Sequence, residues 1–504
     1  MSREIRRIGH RLPDRVPRTL ISPQYTYPFL YHWLLSFVSD RHLGRAERLT
    51  GPLADTVHVA LAFWFADAIF AYFVTSAEAR SGLAFATAGL TAISPAFLAV
   101  GVGPRAYSGS PRPIAQLLFL VFIGACTLAI FGEGPGWLTI AALAAAAIVV
   151  TSKFGNQVLA FTSLGMLLLG HPELIISALI GLAIAAALSR GRALRVLYGQ
   201  IAHSAFYFKH LQRPFLYPER RTVRNYLGAA FVALRTCVRT PLRCAEWALA
   251  ERFLPHRLVI NFPQIVVFAA LVASSATARE TAASPEFLVL VEIVAVSLVA
   301  GLVTGMKPLL FLGEPERYLE HTVMLQLLVI VWLANVAGQQ WILWLLAGYS
   351  LVVYVLSVRV YVRTYRPWAA LKMHLPKVVQ RIDREGAKVL PVGGIFWAAL
   401  YFSRFLELYI HGANFDSKRM DVDRWRALFG RFPLPGVRIA EVASLVPLDY
   451  VIGTAADIER YERAVGDDAL TRGVYLRVAE SAGFVAYAIS SNPAQGREPP
   501  VRHG

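Results

Sequence analysis

The feature that most constrains this chain is a series of apolar, charge-poor runs recurring through residues 57–364. A helix needs about 20 such residues to cross ~30 Å of hydrocarbon, where every backbone polar group must be satisfied within the chain. The runs fall at residues 57–75, 82–100, 114–131, 137–151, 155–169, 174–188, 262–277, 286–305, 321–337 and 341–362. They predict about ten transmembrane helices, or roughly nine to eleven if the 137–188 region holds shorter re-entrant pieces. Composition agrees: 56% of residues are hydrophobic and only 16% charged, against ~25% charged in soluble domains.

Outside the runs the character changes. Residues 1–56 are polar and basic except for the aromatic stretch from Tyr25 to Val38, which is too short to span and is predicted to lie in the interface. The arginine-rich N-terminus lacks the apolar stretch of a cleavable signal peptide. Residues 57–188 form a first bundle and 262–364 a second. Between them, residues 189–261 interleave arginines (Arg190, Arg192, Arg195, Arg235, Arg243) with aromatics (Tyr198, Phe206, Tyr207, Tyr226), the pattern of an amphipathic segment at lipid headgroups. Beyond residue 364 an amphipathic helix is expected at 371–385. Short apolar runs follow at 388–392, 406–410 and 449–452, separated by helical segments at 421–430 and 437–445. That alternation predicts a small α/β soluble domain over 365–490, followed by a disordered tail at 491–504. The expected fold class is therefore an all-α polytopic membrane bundle with a small α/β C-terminal domain.

The formal charge of +17 admits nucleic acid, anionic lipid or an anionic substrate as its cause. Basic residues among aromatics can stack single-stranded nucleic acid. The flanking apolar runs assign this mixture to membrane lipid instead, so no nucleic-acid partner is expected. Alternate loops differ sharply: one side holds only Arg80 and Arg279 among its basic residues. The positive-inside bias places the arginine-rich side, with both termini, in the cytoplasm of a bacterial inner membrane. Cys126, Cys237 and Cys244 form no CxxC; Cys237 and Cys244 could pair only if the segment between them folded back. No metal-ligand set, phosphate loop, nucleophile elbow or dinucleotide fingerprint is present.

Two loops concentrate chemistry. Residues 103–113 join the second and third runs and offer Arg105, Tyr107 and Arg112, with guanidinium forks suited to phosphate. A tight turn with two flanking anchors would look the same. Residues 306–321 gather Lys307, Glu314, Glu316, Arg317, Tyr318, Glu320 and His321. If Pro315 opens a helix, Arg317, Glu320 and His321 share a face. An arginine there can hold a phosphate and a carboxylate can act as a base; the plainer reading is a charged helix start. Lys153 and Gln157 lie at a membrane boundary, where a snorkelling anchor is the alternative to substrate binding. Asp67 and Glu292 stand inside apolar runs, which points to an ion path, hence a transporter or lipid-linked flippase, or else to hydrogen bonding within the bundle.

Several stretches resemble one family. Tyr27-Pro-Phe-Leu-Tyr-His-Trp-Leu-Leu35 resembles a motif of GT-C type polytopic glycosyltransferases. Ala92-Ile-Ser-Pro95, Ser110-Pro-Arg-Pro-Ile114 and Gly313-Glu-Pro-Glu-Arg-Tyr-Leu-Glu320 are similar to later stretches of that family. Val389-Leu-Pro-Val392, His411-Gly-Ala-Asn414 and Asp449-Tyr-Val-Ile452 look like its terminal soluble domain. The resemblance implies sugar transfer from a polyprenyl-phosphate carrier to a glycan, lipid or protein acceptor, in surface polysaccharide or glycolipid assembly. It also implies an inverting reaction, a divalent metal in many members, and a site on the non-cytoplasmic face, opposite to the charge bias. Arg105, Arg112, Lys153 and Arg317 would hold the lipid phosphate, Glu314 and Glu320 are candidate bases, and Tyr107, Gln157, Tyr318 and His321 would help position the sugar. The chain departs from the family pattern where a carboxylate base follows a first helix: no span precedes Tyr27, and Glu4, Asp14 and Asp40 are the only acids before Glu47. Either a first helix is missing or the motif is lost. A non-enzymatic membrane scaffold is the remaining alternative.

Overall fold

The computed structural model describes residues 1–20, 25–98, 110–210, 223–251, 253–365, 368–409, 421–431 and 434–489. These form two compact units, residues 1–12 with 26–364 and residues 13–25 with 365 onward.

The first unit is helical. It begins with α1 (Ser2–Arg7), α2 (Leu30–Ser36) and the long α3 (Asp40–Phe70), then α4 (Ala77–Ala92), α5 (Arg112–Ile130), α6 (Gly136–Thr151), α7 (Lys153–Leu168) and α8 (Glu173–Leu188). The basic insertion supplies α9 (Arg192–Phe206), α10 (Val223–Arg239), α11 (Pro241–Ala250) and α12 (Leu254–Asn261). The second bundle comprises α13 (Pro263–Ser274), α14 (Ala276–Ala282), α15 (Pro285–Thr304), α16 (Glu316–Glu320), α17 (Val323–Val336) and α18 (Trp341–Tyr365). The aromatic stretch expected at the interface contains α2, seven residues long. Leu227, Phe231, Val232 and Leu234 on α10 are exposed among arginines, as a headgroup-lying helix requires. Cys237 lies in a disulfide, and the chain breaks at Thr240 between α10 and α11.

Among the described residues, four helices are long and apolar enough to cross a membrane: α3, α5, α15 and residues Trp341–Val360 of α18. Two bent pairs, Glu173–Leu188 with Arg192–His210 (116°) and Leu254–Asn261 with Pro263–Ser274 (82°), raise the number to six if each is one span. The count of about ten is not reproduced. Helices α4, α6 and α7 have 16 residues each, about 24 Å at 1.5 Å per residue, short of the ~30 Å core. The run expected over 82–100 stops as a helix at Ala92, because Pro95 opens a 3₁₀ turn, Pro95–Leu98. The chain is nonetheless a polytopic, largely helical membrane protein.

Close packing fixes the helices near the charged loops. Gly181 of α8 lies against α6 so tightly that an added Cβ would stand 2.6 Å from the Ala142 carbonyl oxygen, the small-residue contact typical of membrane helices. Under the 306–321 loop, Gln264 Nε2 donates to Gln326 Oε1 (2.8 Å), and Gln326 Nε2 donates to the Leu319 carbonyl (2.9 Å), tying α13 and α17 to α16.

The second unit is a five-stranded sheet with helices α19 (Trp368–Ile382), α20 (Phe396–Phe402), α21 (Val422–Phe429), α22 (Ile439–Leu445) and α23 (Ala455–Val465). Its strands are β1 (Lys388–Pro391), β2 (Glu407–Leu408), β3 (Tyr450–Thr454), β4 (Leu476–Ser481) and β5 (Phe484–Ala488), in the order β2-β1-β3-β5-β4. β1 pairs parallel with β2 and β3, and β5 runs antiparallel to both β3 and β4. Leu375, Val378, Val379 and Ile382 of α19 share a core with Val389, Leu408, Ile452 and Ala486. Residues 13–25, assigned from sequence to the basic N-terminal segment, pack in this unit.

Candidate functional site

The 306–321 loop builds the site. A 3₁₀ turn, Lys307–Leu312, ends at Gly313 with φ +104°. An added Cβ there would stand 2.4 Å from the Phe154 ring, so only glycine lets the turn close against α7. Pro315 then opens α16, as its fixed φ favours at a helix start.

Two buried ion pairs hold this short helix. Arg112, at the start of α5, donates from Nε to Glu320 Oε2 (3.1 Å) and also pairs through its terminal nitrogen with Glu320 Oε1. Gln116, one turn on, donates from Nε2 to Glu320 Oε2 (2.8 Å). Glu320 is fully buried and Arg112 nearly so. On another side, Arg257 of α12 donates to Glu316 Oε1 (2.6 Å) and, through Nε, to the Glu251 carbonyl (2.9 Å). The third pair differs. Arg317 Nε lies 2.5 Å from Glu314 Oε2, with 37% of the Glu314 side chain exposed, so this carboxylate alone of the three remains open to exchange.

Aromatics complete the arrangement. The Arg317 guanidinium stacks 3.9 Å from the Phe154 ring centroid, a cation–π contact that leaves its edge for hydrogen bonding. The Lys153 ammonium lies 5.5 Å from the Tyr27 ring. Burial raises the pKa of the Tyr27 phenol, and the positive field of Arg317 partly offsets that rise. For Glu314, burial alone would raise the pKa, but Arg317 and Arg112, the hydrogen bond from Arg317, and Arg257 together hold it below the usual carboxylate range. Charges from three separate helices therefore act on one carboxylate.

Of the residues singled out from sequence, the structure brings together Arg112, Glu314, Arg317, Glu320 and Lys153. The shared face expected for Arg317, Glu320 and His321 divides: Arg317 turns to Phe154 and Glu314, Glu320 to Arg112, and the His321 ring sits edge-on to Phe119 at 5.5 Å. His321 Nδ1 is 2.6 Å from the Arg317 carbonyl. Tyr318 is buried against Phe161 (5.4 Å), and neither its hydroxyl nor Gln157 Oε1 has a hydrogen-bond partner among the described residues. Arg105 and Tyr107 lie outside the described residues. Sequence reasoning did not single out Arg257, Gln116 or Phe154. Gln116 could have been found as the i+4 neighbour of Arg112, whereas Arg257 resembles the eleven other arginines of residues 189–261.

The donor set does not fit a divalent cation. Among the described residues no three His, Cys, Asp or Glu side chains gather as a metal site. Glu314, Glu316 and Glu320 each face an arginine, whose charge opposes a metal ion there. The two carboxylates within spans are also paired. Asp67 Oδ1 accepts from Arg80 Nε (2.9 Å) and Ser81 Oγ (3.3 Å), and Glu292 Oε2 is 2.8 Å from His171 Nε2.

No protein-family model and no curated protein matches this chain. Among solved structures, it is similar to ArnT from Cupriavidus metallidurans in the apo state, at 14% identity, covering 97% of this chain and 91% of that one, with a TM-score of 0.38. The same protein bound to undecaprenyl phosphate gives 13% identity, 97% and 92% coverage and a TM-score of 0.40. Similarity at that level does not fix an activity.

Proposed function

We propose that this protein is a membrane glycosyltransferase that moves a sugar from a polyprenyl-phosphate carrier to a glycan or lipid acceptor. The observation that supports it is Arg317, whose partner Glu314 is the one partly exposed carboxylate among the three ion pairs about α16, with Lys153 beside the Phe154 ring on which Arg317 stacks. A cationic cradle at the edge of a helical bundle suits the phosphate of a lipid whose tail stays in hydrocarbon.

The three ion pairs take different roles in this reading. Arg112–Glu320 and Arg257–Glu316 are buried and position α16. Arg317 binds the lipid phosphate, assisted by Lys153, and exchanges its resting partner Glu314 for that anion. Glu314, released, takes the proton of the acceptor hydroxyl. The hydroxyl oxygen attacks the anomeric carbon, the bond from that carbon to the phosphate oxygen breaks, and the phosphate leaves with its charge held by Arg317. Glu320, saturated by Arg112 and Gln116, is a positioning residue in this scheme and not the base. Tyr318 and Gln157 supply buried polar atoms for sugar hydroxyls.

The test is transfer from a polyprenyl-phosphate glycoside in reconstituted vesicles. Arg317→Ala and Glu314→Gln each abolish transfer while insertion and folding persist. Product formation at the wild-type rate in both variants would remove the loop from the reaction.

A further inference from the structure

The outer parallel strand of the second unit is not an open edge. Residues from the other end of the chain lie on it. Thr19 bridges parallel to Leu408 of β2. Leu408 N donates to the Arg18 carbonyl and Leu20 N to the Leu408 carbonyl, both at 3.0 Å. The Arg18 side chain reaches into the turn before β2: NH1 donates to the Ser403 carbonyl (2.7 Å) and Oγ (3.3 Å), and NH2 to the Leu400 carbonyl (3.1 Å). That turn is itself held by Asp383, which accepts from Ser403 Oγ (2.8 Å) and the backbone N–H groups of Arg404, Phe405 and Leu406 (2.8, 3.0 and 3.2 Å). Tyr25 N donates to the Asp14 carbonyl (2.7 Å), closing the segment into a loop. Arg18 holds φ +57°, a left-handed conformation that costs a non-glycine residue about 1 kcal/mol and persists only where surroundings impose it.

We propose that residues 18–20 are a built-in clasp on the outer edge of the C-terminal sheet, one that commits the N-terminal segment and that domain to one face of the membrane. Backbone pairing cannot form across a bilayer, so Thr19 and Leu408 share a compartment and the chain between them crosses the membrane an even number of times. The clasp also covers an unpaired edge that would otherwise invite association. None of this depends on the transferase reading.

The experiment uses the full chain in sealed vesicles. A Thr19→Cys/Leu408→Cys variant should crosslink within one chain, and neither single variant should. Leu408 is buried, so a second arm does not rely on that variant folding. Arg15→Cys and Glu385→Cys should both react with an impermeant maleimide from the same side, above the wild-type background. Arg18→Gly, which keeps the backbone angle but deletes the side chain, should raise protease cleavage within residues 13–25. Labelling of Arg15→Cys and Glu385→Cys from opposite sides would overturn the proposal, as would failure of the double variant to crosslink while both cysteines react after unfolding.

Discussion

Replacing Arg112 separates the roles of its ion pair. In Arg112→Met the carboxylate of Glu320 keeps, among the described residues, the Gln116 amide as its side-chain donor, at a position with no solvent exposure. An uncompensated buried charge costs about 3–5 kcal/mol. Two charge-assisted hydrogen bonds at roughly 1.5–3 kcal/mol each give the same range from the other direction. Glu320→Leu, which strands the guanidinium, should cost a similar amount. The double variant removes both charges and should cost less than ~2 kcal/mol, because a buried pair replaced by apolar residues is often neutral. The assay is thermal unfolding of the purified protein in one detergent, read as a double-mutant cycle. Strict additivity would refute the argument, since it would mean that the two side chains do not sense each other. If the double variant is stable yet transfers no sugar, Arg112 contributes to the reaction beyond holding α16.

Three further outcomes follow from particular groups. Gly313→Ala meets both a positive φ and the Phe154 ring; it should cost about 1–3 kcal/mol and sharply reduce transfer, and Phe154→Ala beside it should relieve the clash but neither the positive φ nor the lost Arg317 stack, which a melting curve and a rate distinguish. Asp383 has its pKa lowered in the folded state, because backbone N–H groups and Ser403 outweigh the raising effect of burial. Its stabilisation is therefore present above the unfolded pKa of about 3.9 and lost as pH falls through the lower folded value; Asp383→Asn should lower the melting temperature at pH 7, and the difference should shrink as pH falls below about 3.9. Glu314 is likewise held below the usual range, so the acid limb of the transfer rate should lie below the ~4.3 of a free glutamate, and Arg317→Gln, a weaker partner, should move any residual limb upward.

The sequence showed the membrane class, the apolar runs at 388–392 and 449–452 that fall on β1 and β3, and the charge density of the 306–321 loop, because each is written in local hydropathy or local charge. What it hid is tertiary. Residues 13–20 carry two prolines and no apolar alternation, and Thr19 bridges to Leu408 only because β2 presents an edge. The hairpin β4–β5 was missed because β4 is half exposed and lacks a strong apolar pattern. Arg257 is chemically identical to its neighbours in the basic insertion, and only packing against Glu316 makes it a buried partner. One expected run differs for a similar reason: hydropathy registers Pro95 as part of the continuous run 82–100, while the backbone turns there.

The most direct measurement is equilibrium binding of a polyprenyl phosphate to the purified protein, compared with the phosphate-free polyprenol of the same length. The account expects the wild type to prefer the phosphate, and expects that preference to vanish in Arg317→Ala and weaken in Lys153→Ala, with polyprenol binding unchanged. Equal affinity of the wild type for both lipids, or a preference that survives both substitutions, would contradict it.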